Sequence, residues 1–255
     1  MADLTIKFKG QPIVEMTDSG TKTLKTAGKY CEDDISVEYA KPAGGGGGAT
    51  EPYIEEVYDS SGNLIGATLH GYTTTRQYMF YNSLYLTSIN LPSELTEIVK
   101  ATFNNCEALT SLNLPSGVTS IADRAFEGCK KLASLNLPSG LTSIGESSFF
   151  NCRSLTLTSL PSGVTKIPGY AFHNCESLAL TSLPSGITQI SNYSFYRCIN
   201  LTSMTFEGTP TSISSSAFHS CTNLTTINVP WAEGAVASAP WGATNATINY
   251  NYTGA

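Results

Sequence analysis

A phenylalanine and a cysteine three residues apart recur every 23 residues, as Phe103/Cys106, Phe126/Cys129, Phe149/Cys152, Phe172/Cys175, Phe195/Cys198 and Phe218/Cys221. Proline keeps the same period at Pro92, Pro115, Pro138, Pro161 and Pro184. Glu207 takes its place in the next copy, and Pro230 restores it. Phe80, with Ser83 in the cysteine place, is a degenerate first copy, so seven copies run from about 80 to 221. A unit this short cannot bury an apolar face alone and must stack on its neighbours.

One unit, residues 109–129, reads LTSLNLPSGVTSIADRAFEGC. Leu109, Leu112 and Leu114 make the L-x-x-L-x-L strand pattern of a leucine-rich repeat, and Val118, Ile121 and Phe126 return the chain across the core. The pattern predicts a leucine-rich repeat solenoid of 23-residue units over residues 80–230, with a parallel β-sheet along one side. Upstream, residues 53–79 read as a hairpin cap turning at Ser61-Gly62-Asn63. Downstream, the period breaks at Trp231. Residues 231–255 read as a C-terminal cap, with Trp231 and Trp241 over the last coil and a closing strand carrying Ile248, Tyr250 and Tyr252.

Residues 1–40 form a separate small β module, with strands expected at Leu4–Phe8 and Ile35–Tyr39, where apolar and polar residues alternate. A segment under ~40 residues rarely folds unaided, so this module is expected to attach to an assembly or to homo-oligomerise. Residues 41–52 contain Gly44 to Gly48 and read as a flexible linker.

Charge narrows the partners. Only 13% of residues are charged, about half the usual share. Residues 1–60 hold 17 of the 34 charged side chains, leaving the repeats close to neutral. A neutral body lacks the basic stripe of a nucleic-acid binder and the polybasic cluster of a membrane-surface protein. No window approaches a membrane span, and MADLTIKFKGQP has no apolar core of signal-peptide length. The expected setting is virion-associated or extracellular, without a standard export signal.

The unit LTSLNLPSGVTSIADRAFEGCKK resembles the BspA-type, or treponemal-type, leucine-rich repeat of bacterial surface proteins, over residues 80–230. The tail VPWAEGAVASAPWGATNATINY resembles the segment that often follows these repeats in gut Firmicutes. MTDSGTKTLKTAGKYCEDDISVEY is similar to short modules of prophage tail and minor structural proteins of those bacteria. The resemblance implies a phage-derived or surface-displayed protein with roles in adhesion and protein recognition, and it carries over no catalytic residues.

What the six periodic cysteines do is decided by spacing. Equivalent positions on adjacent coils lie about 4.8 Å apart, slightly too wide for the Cβ separation of a disulfide. The seven cysteines are odd in number, and Cys31 sits apart. No C-x-x-C pair suits zinc, and no base recurs with the thiols to activate them. The expectation is a column of small buried thiols packed beside the phenylalanines.

Two surfaces are candidate sites. Positions just after and two before the phenylalanines align Phe150, Tyr170, His173, Tyr193, Tyr196 and His219 as a stripe. Aromatic rings with polar tips suit a protein or a cell-surface glycan; the alternative is that each ring covers only its own turn. His173 and His219 lie two coils apart, about 10 Å, with Tyr196 between them, so no metal site is expected. On the strand face, LTLTSLP and LALTSLP place Leu157 and Leu180 where other copies have serine or threonine. Either the strand shifts to bury them or they form an apolar patch, since a one-residue slip exchanges the faces.

Glu32, Asp33 and Asp34 lack the alternating spacing of a calcium loop, and no nucleotide-binding or nucleophile-elbow motif occurs. The function expected is therefore non-enzymatic recognition without a cofactor, with a purely structural phage tail component or spacer as the alternative.

Overall fold

The computed structural model describes residues 4–8, 11–16, 35–39 and 52–254, the first three as strand backbone only. Those strands are β1 (Leu4–Phe8), β2 (Gln11–Met16) and β3 (Ile35–Tyr39), in an antiparallel sheet of order β2-β1-β3. The linker predicted at 41–52 falls, except for Pro52, outside the described residues, as do Cys31 and the 32–34 acidic run.

β4 (Tyr53–Tyr58) and β5 (Leu64–His70) form the expected antiparallel hairpin. Its turn is held by Asp59, whose Oδ1 accepts hydrogen bonds from the backbone N–H groups of Ser61 (2.8 Å) and Asn63 (2.9 Å). Gly62 takes the φ of +82° that this turn requires. β5 then pairs in parallel with β6 (Ser88–Asn90), so the second hairpin strand is already the first strand of the solenoid sheet. The coil carrying Phe80 thus starts near Leu64, and a boundary at 79/80 falls inside it.

The strand face continues through β8 (Ser111–Asn113), β10 (Ser134–Asn136), β13 (Ser182–Leu183), β15 (Ser203–Phe206), β17 (Thr226–Asn228) and β18 (Thr247–Asn249). Registers such as Leu135 against Leu112 and Met204 against Ile227 superpose equivalent residues. A second side is also sheet. β7 (Glu97–Ile98), β9 (Ser120–Ile121) and β11 (Ser143–Ile144) pair in parallel, as do β12 (Lys166–Ile167), β14 (Gln189–Ile190) and β16 (Ser212–Ile213). The predicted sheet along one side is therefore one of two. The isoleucine of each short strand enters the core, and threonines 96, 119, 142, 188 and 211 donate their hydroxyls to the threonine carbonyl one coil back.

On the third side the chain runs through consecutive turns in place of a helix. Each phenylalanine N–H donates to the next coil, as Phe103 does to Ala125 O at 2.8 Å and Phe126 to Ser148 O at 2.8 Å. The rings of Phe80 through Phe218 form one buried stack with centroids 5.1–5.5 Å apart. All six cysteines of the column are free and buried, as expected. Each thiol also donates to the phenylalanine carbonyl of the coil before, for example Cys129 Sγ to Phe103 O at 3.0 Å and Cys221 Sγ to Phe195 O at 2.9 Å. A small buried donor is what that carbonyl needs.

At the far end the period does not break. Trp241 stands 23 residues after Phe218, accepts its N–H at 2.9 Å, and is fully buried. β18 pairs in parallel with β17, so the tail is a last, degenerate coil. Trp231 packs edge-on against Trp241 with centroids 6.2 Å apart, and Phe206 touches both.

Candidate ligand-binding site

The turn side shapes the candidate stripe. Two positions per coil adopt left-handed φ from the coil of Phe80 to that of Phe195. The position two after the phenylalanine holds Asn82, Asn105, Gly128, Asn151 and Asn174, residue types that tolerate it, then Arg197 and Ser220. The position two before holds Tyr78, Ala101, Arg124, Ser147, Tyr170 and Tyr193, with φ of 53–57°. The backbone imposes this conformation on the six coils from Phe80 to Phe195, and a bulky aromatic there is strained by roughly 1–3 kcal/mol. Asparagine or glycine would relieve that strain, so tyrosine is not the backbone's choice.

All six predicted stripe residues come together in two rows. Phe150, His173, Tyr196 and His219 stack face to face, with centroid separations of 4.5, 4.5 and 5.6 Å. Tyr170 and Tyr193 stack alongside at 5.6 Å. The rows are joined by Tyr170 against His173 (5.6 Å) and by Tyr193 edge-on to Tyr196 (5.8 Å, 78°). The long row turns its ring faces on one another and offers edges outward. Tyr193 is 36% exposed. Burial, then the positive charge of Arg197, holds the His173 imidazole below its ordinary pKa, and its Nδ1 is buried without a hydrogen-bond partner. With the Tyr196 ring stacked between them, His173 and His219 cannot share a metal ion. Among the described residues no group of three or more His, Cys, Asp or Glu is placed to hold one.

The second candidate surface is not formed. Leu157 and Leu180 are 8% and 1% exposed, while Thr158 and Thr181 face solvent. The side chains exchange faces locally at 157–158 and 180–181, while Ser182 and Leu183 keep the 23-residue register with Thr205 and Phe206. Residues 156–160 form no strand, and β10 pairs only with β8. A patch of Leu157 and Leu180 is thereby corrected to core.

The six cysteines of the column are not poised as nucleophiles. Burial pushes the Cys106 and Cys221 thiols up to about 12, and those of Cys129, Cys152, Cys175 and Cys198 are raised further by the same cause.

Sequence reasoning passed over Tyr78 and Tyr81. They hold the same offsets from Phe80 that Tyr193 and Tyr196 hold from Phe195, and their rings meet in the same way, 5.7 Å apart at 80°. The stripe drawn from Phe103 onward leaves out this first copy.

Comparison with known proteins fits the coil geometry. The family model "BspA type leucine rich repeat region (6 copies)" matches residues 73–180 and 147–234. The chain belongs to the BspA-type leucine-rich repeat family. The BspA-type match begins in the coil of Phe80, and the module at 1–40 lies outside it. Among solved structures, the leucine-rich repeat protein of T. pallidum is 26% identical, with a TM-score of 0.51, over 69% of this chain and 81% of that one. A leucine-rich cell surface protein of Faecalibacterium prausnitzii is 25% identical, with a TM-score of 0.48, over 68% and 61%. A leucine-rich repeat protein of Bacteroides ovatus is 19% identical, with a TM-score of 0.46, over 73% and 61%. No curated protein matches the chain.

Proposed function

We propose that this BspA-type chain is a non-enzymatic recognition and adhesion protein whose solenoid presents the aromatic stripe to a bacterial cell-surface protein or glycan. Residues 1–40 would attach it to a larger assembly or to copies of itself, in a phage-derived or surface-displayed setting. The observation that carries this reading is tyrosine at the strained left-handed positions 170 and 193. The backbone strain there opposes folding and is offset only in part by ring contacts, whereas a ligand gains phenol groups and ring edges held in rigid register. The stacking of Phe150, His173, Tyr196 and His219 also favours a second reading, a spacer without a ligand, because it consumes the ring faces.

Saturable binding of the labelled full chain to intact gut Firmicutes cells, compared with Tyr193→Ala/Tyr196→Ala, separates the two. Adhesion through the stripe predicts binding that the double variant loses. Binding unchanged in the variant would remove the stripe from the site, and no binding by either protein would favour the spacer.

A further inference from the structure

The turn side carries a second feature, at the opposite end from His219. Tyr78 and Tyr81 are 51% and 47% exposed, among the most exposed aromatic residues described. At the matching place five repeats on, Tyr196 is enclosed between His173 and His219. Tyr81 has no such neighbour: its row continues with Asn104, and among the described residues its one aromatic partner is Tyr78. The ring face that stacking consumes elsewhere is therefore open here.

Beside this open platform the turn side sinks into a groove of about 530 Å³. The reason is side-chain size, because Ala101 and Asn104 occupy the two stripe positions of the next coil and Asn104 is itself buried. Beyond them the groove is walled by Lys100, Arg124, Asp123 and Glu127. Glu127 Oε2 is buried with no hydrogen bond and lies 3.7 Å from Arg124 Nε. Asp123 keeps one oxygen occupied by the Glu146 N–H at 2.8 Å.

We propose that this groove is a saccharide subsite, distinct from the stacked rows and independent of them, that takes a neutral hexose oligomer. The ligand class follows from the lining. A sugar ring has an apolar C–H face, which lies on the open Tyr81 ring, and a rim of hydroxyls, each both donor and acceptor. Such hydroxyls donate to the groove-lining Asp123 and Glu127 carboxylates and accept from Lys100 and Arg124. A cationic ligand meets those two cations, and an anionic one meets the carboxylates. A protein partner would have to bury both signs of charge in an interface centre, where charged residues are depleted.

The test is calorimetric titration of the full chain with cellohexaose, maltohexaose, mannohexaose and chitohexaose, using wild type, Tyr81→Ala, Glu127→Gln and Tyr193→Ala/Tyr196→Ala. The expected result is millimolar or tighter binding of at least one of the four. Tyr81→Ala should weaken it about tenfold, as loss of one aromatic platform implies. Glu127→Gln should weaken it too, and the 193/196 variant should leave it unchanged. Thermal melts check that the variants are folded; Tyr81 is half exposed and Glu127→Gln preserves shape. Three results overturn the subsite: no binding of any of the four, wild-type affinity in both Tyr81→Ala and Glu127→Gln, or binding lost only in the 193/196 variant. The last would place the glycan on the stacked rows and so leave the adhesion reading standing.

Discussion

Raising the pH should unfold this solenoid through its cysteines. Six free thiols are buried in one column, and burial lifts each well above the ordinary 9.0, to about 12 at the two ends. The unfolded chain can ionise them near pH 9, whereas the folded chain holds them protonated. The thiol contribution to stability is therefore whole below pH 9 and lost as the pH climbs towards 12. One unit above the unfolded pKa, each thiol withdraws a little over 1 kcal/mol, and six together about 8 kcal/mol. Typical domains have about 5–15 kcal/mol in total, so the fold should fail between about pH 10 and 11. The assay is urea unfolding at pH 7.5 and pH 10, for wild type and for Cys152→Ala. Tyrosine and lysine ionise in both proteins and cancel in the comparison. Wild type should lose a little over 1 kcal/mol more than the variant across that interval. An equal loss in both would mean that the column does not resist ionisation, and would refute the argument.

The other expectations concern the stack, the coil spacing and the stripe. Phe149→Ala removes a fully buried ring stacked 5.5 Å from Phe126 and 5.3 Å from Phe172; it should destabilise by about 3–5 kcal/mol, seen as a lower urea midpoint. Gly145→Ala points a methyl group at the backbone between Ala122 and Asp123 of the previous coil, where only a shift of whole coils makes room. Its loss should be about 1–3 kcal/mol, while Gly62→Ala in the open hairpin turn is limited to the strain of its positive φ. For His173, the folded pKa lies below the ordinary 6.5. Its contribution is thus complete above pH 6.5 and falls as acid protonates it, so NMR should find its imidazole titrating below 6.5 and the stripe rings loosening with it.

Much of the fold was legible because a solenoid repeats each decision. Phe103 and its successors predict one another's burial through register alone, and Gly62 with Asn63 marks the hairpin turn. The second sheet was not legible: strands such as Ser120–Ile121 are two residues long, too short for alternation to register. The last coil escaped notice because tryptophan at 241 replaces the phenylalanine that defines the period. Leu157 and Leu180 stayed ambiguous because pattern alone fits both a slipped strand and an exposed patch, and only packing decides between them. The stripe was readable as a set of aligned positions, but the left-handed φ at Tyr170 and Tyr193 was not, since neighbouring copies carry arginine, serine and alanine there.

The same register explains why the two ends of the turn side differ chemically. Aromatic residues at one offset in consecutive coils sit about 4.8 Å apart, close to the stacking distance of flat rings, so an unbroken row must close its faces. A row of four therefore becomes a rigid ridge of edges, as from Phe150 to His219. A ring face survives only where the row is interrupted, and the interruption at Asn104 leaves Tyr81 open beside a polar hollow. Recognition by ring faces and recognition by ring edges thus fall on different coils of one surface. Which residues follow each phenylalanine decides between them, and the backbone is the same for both.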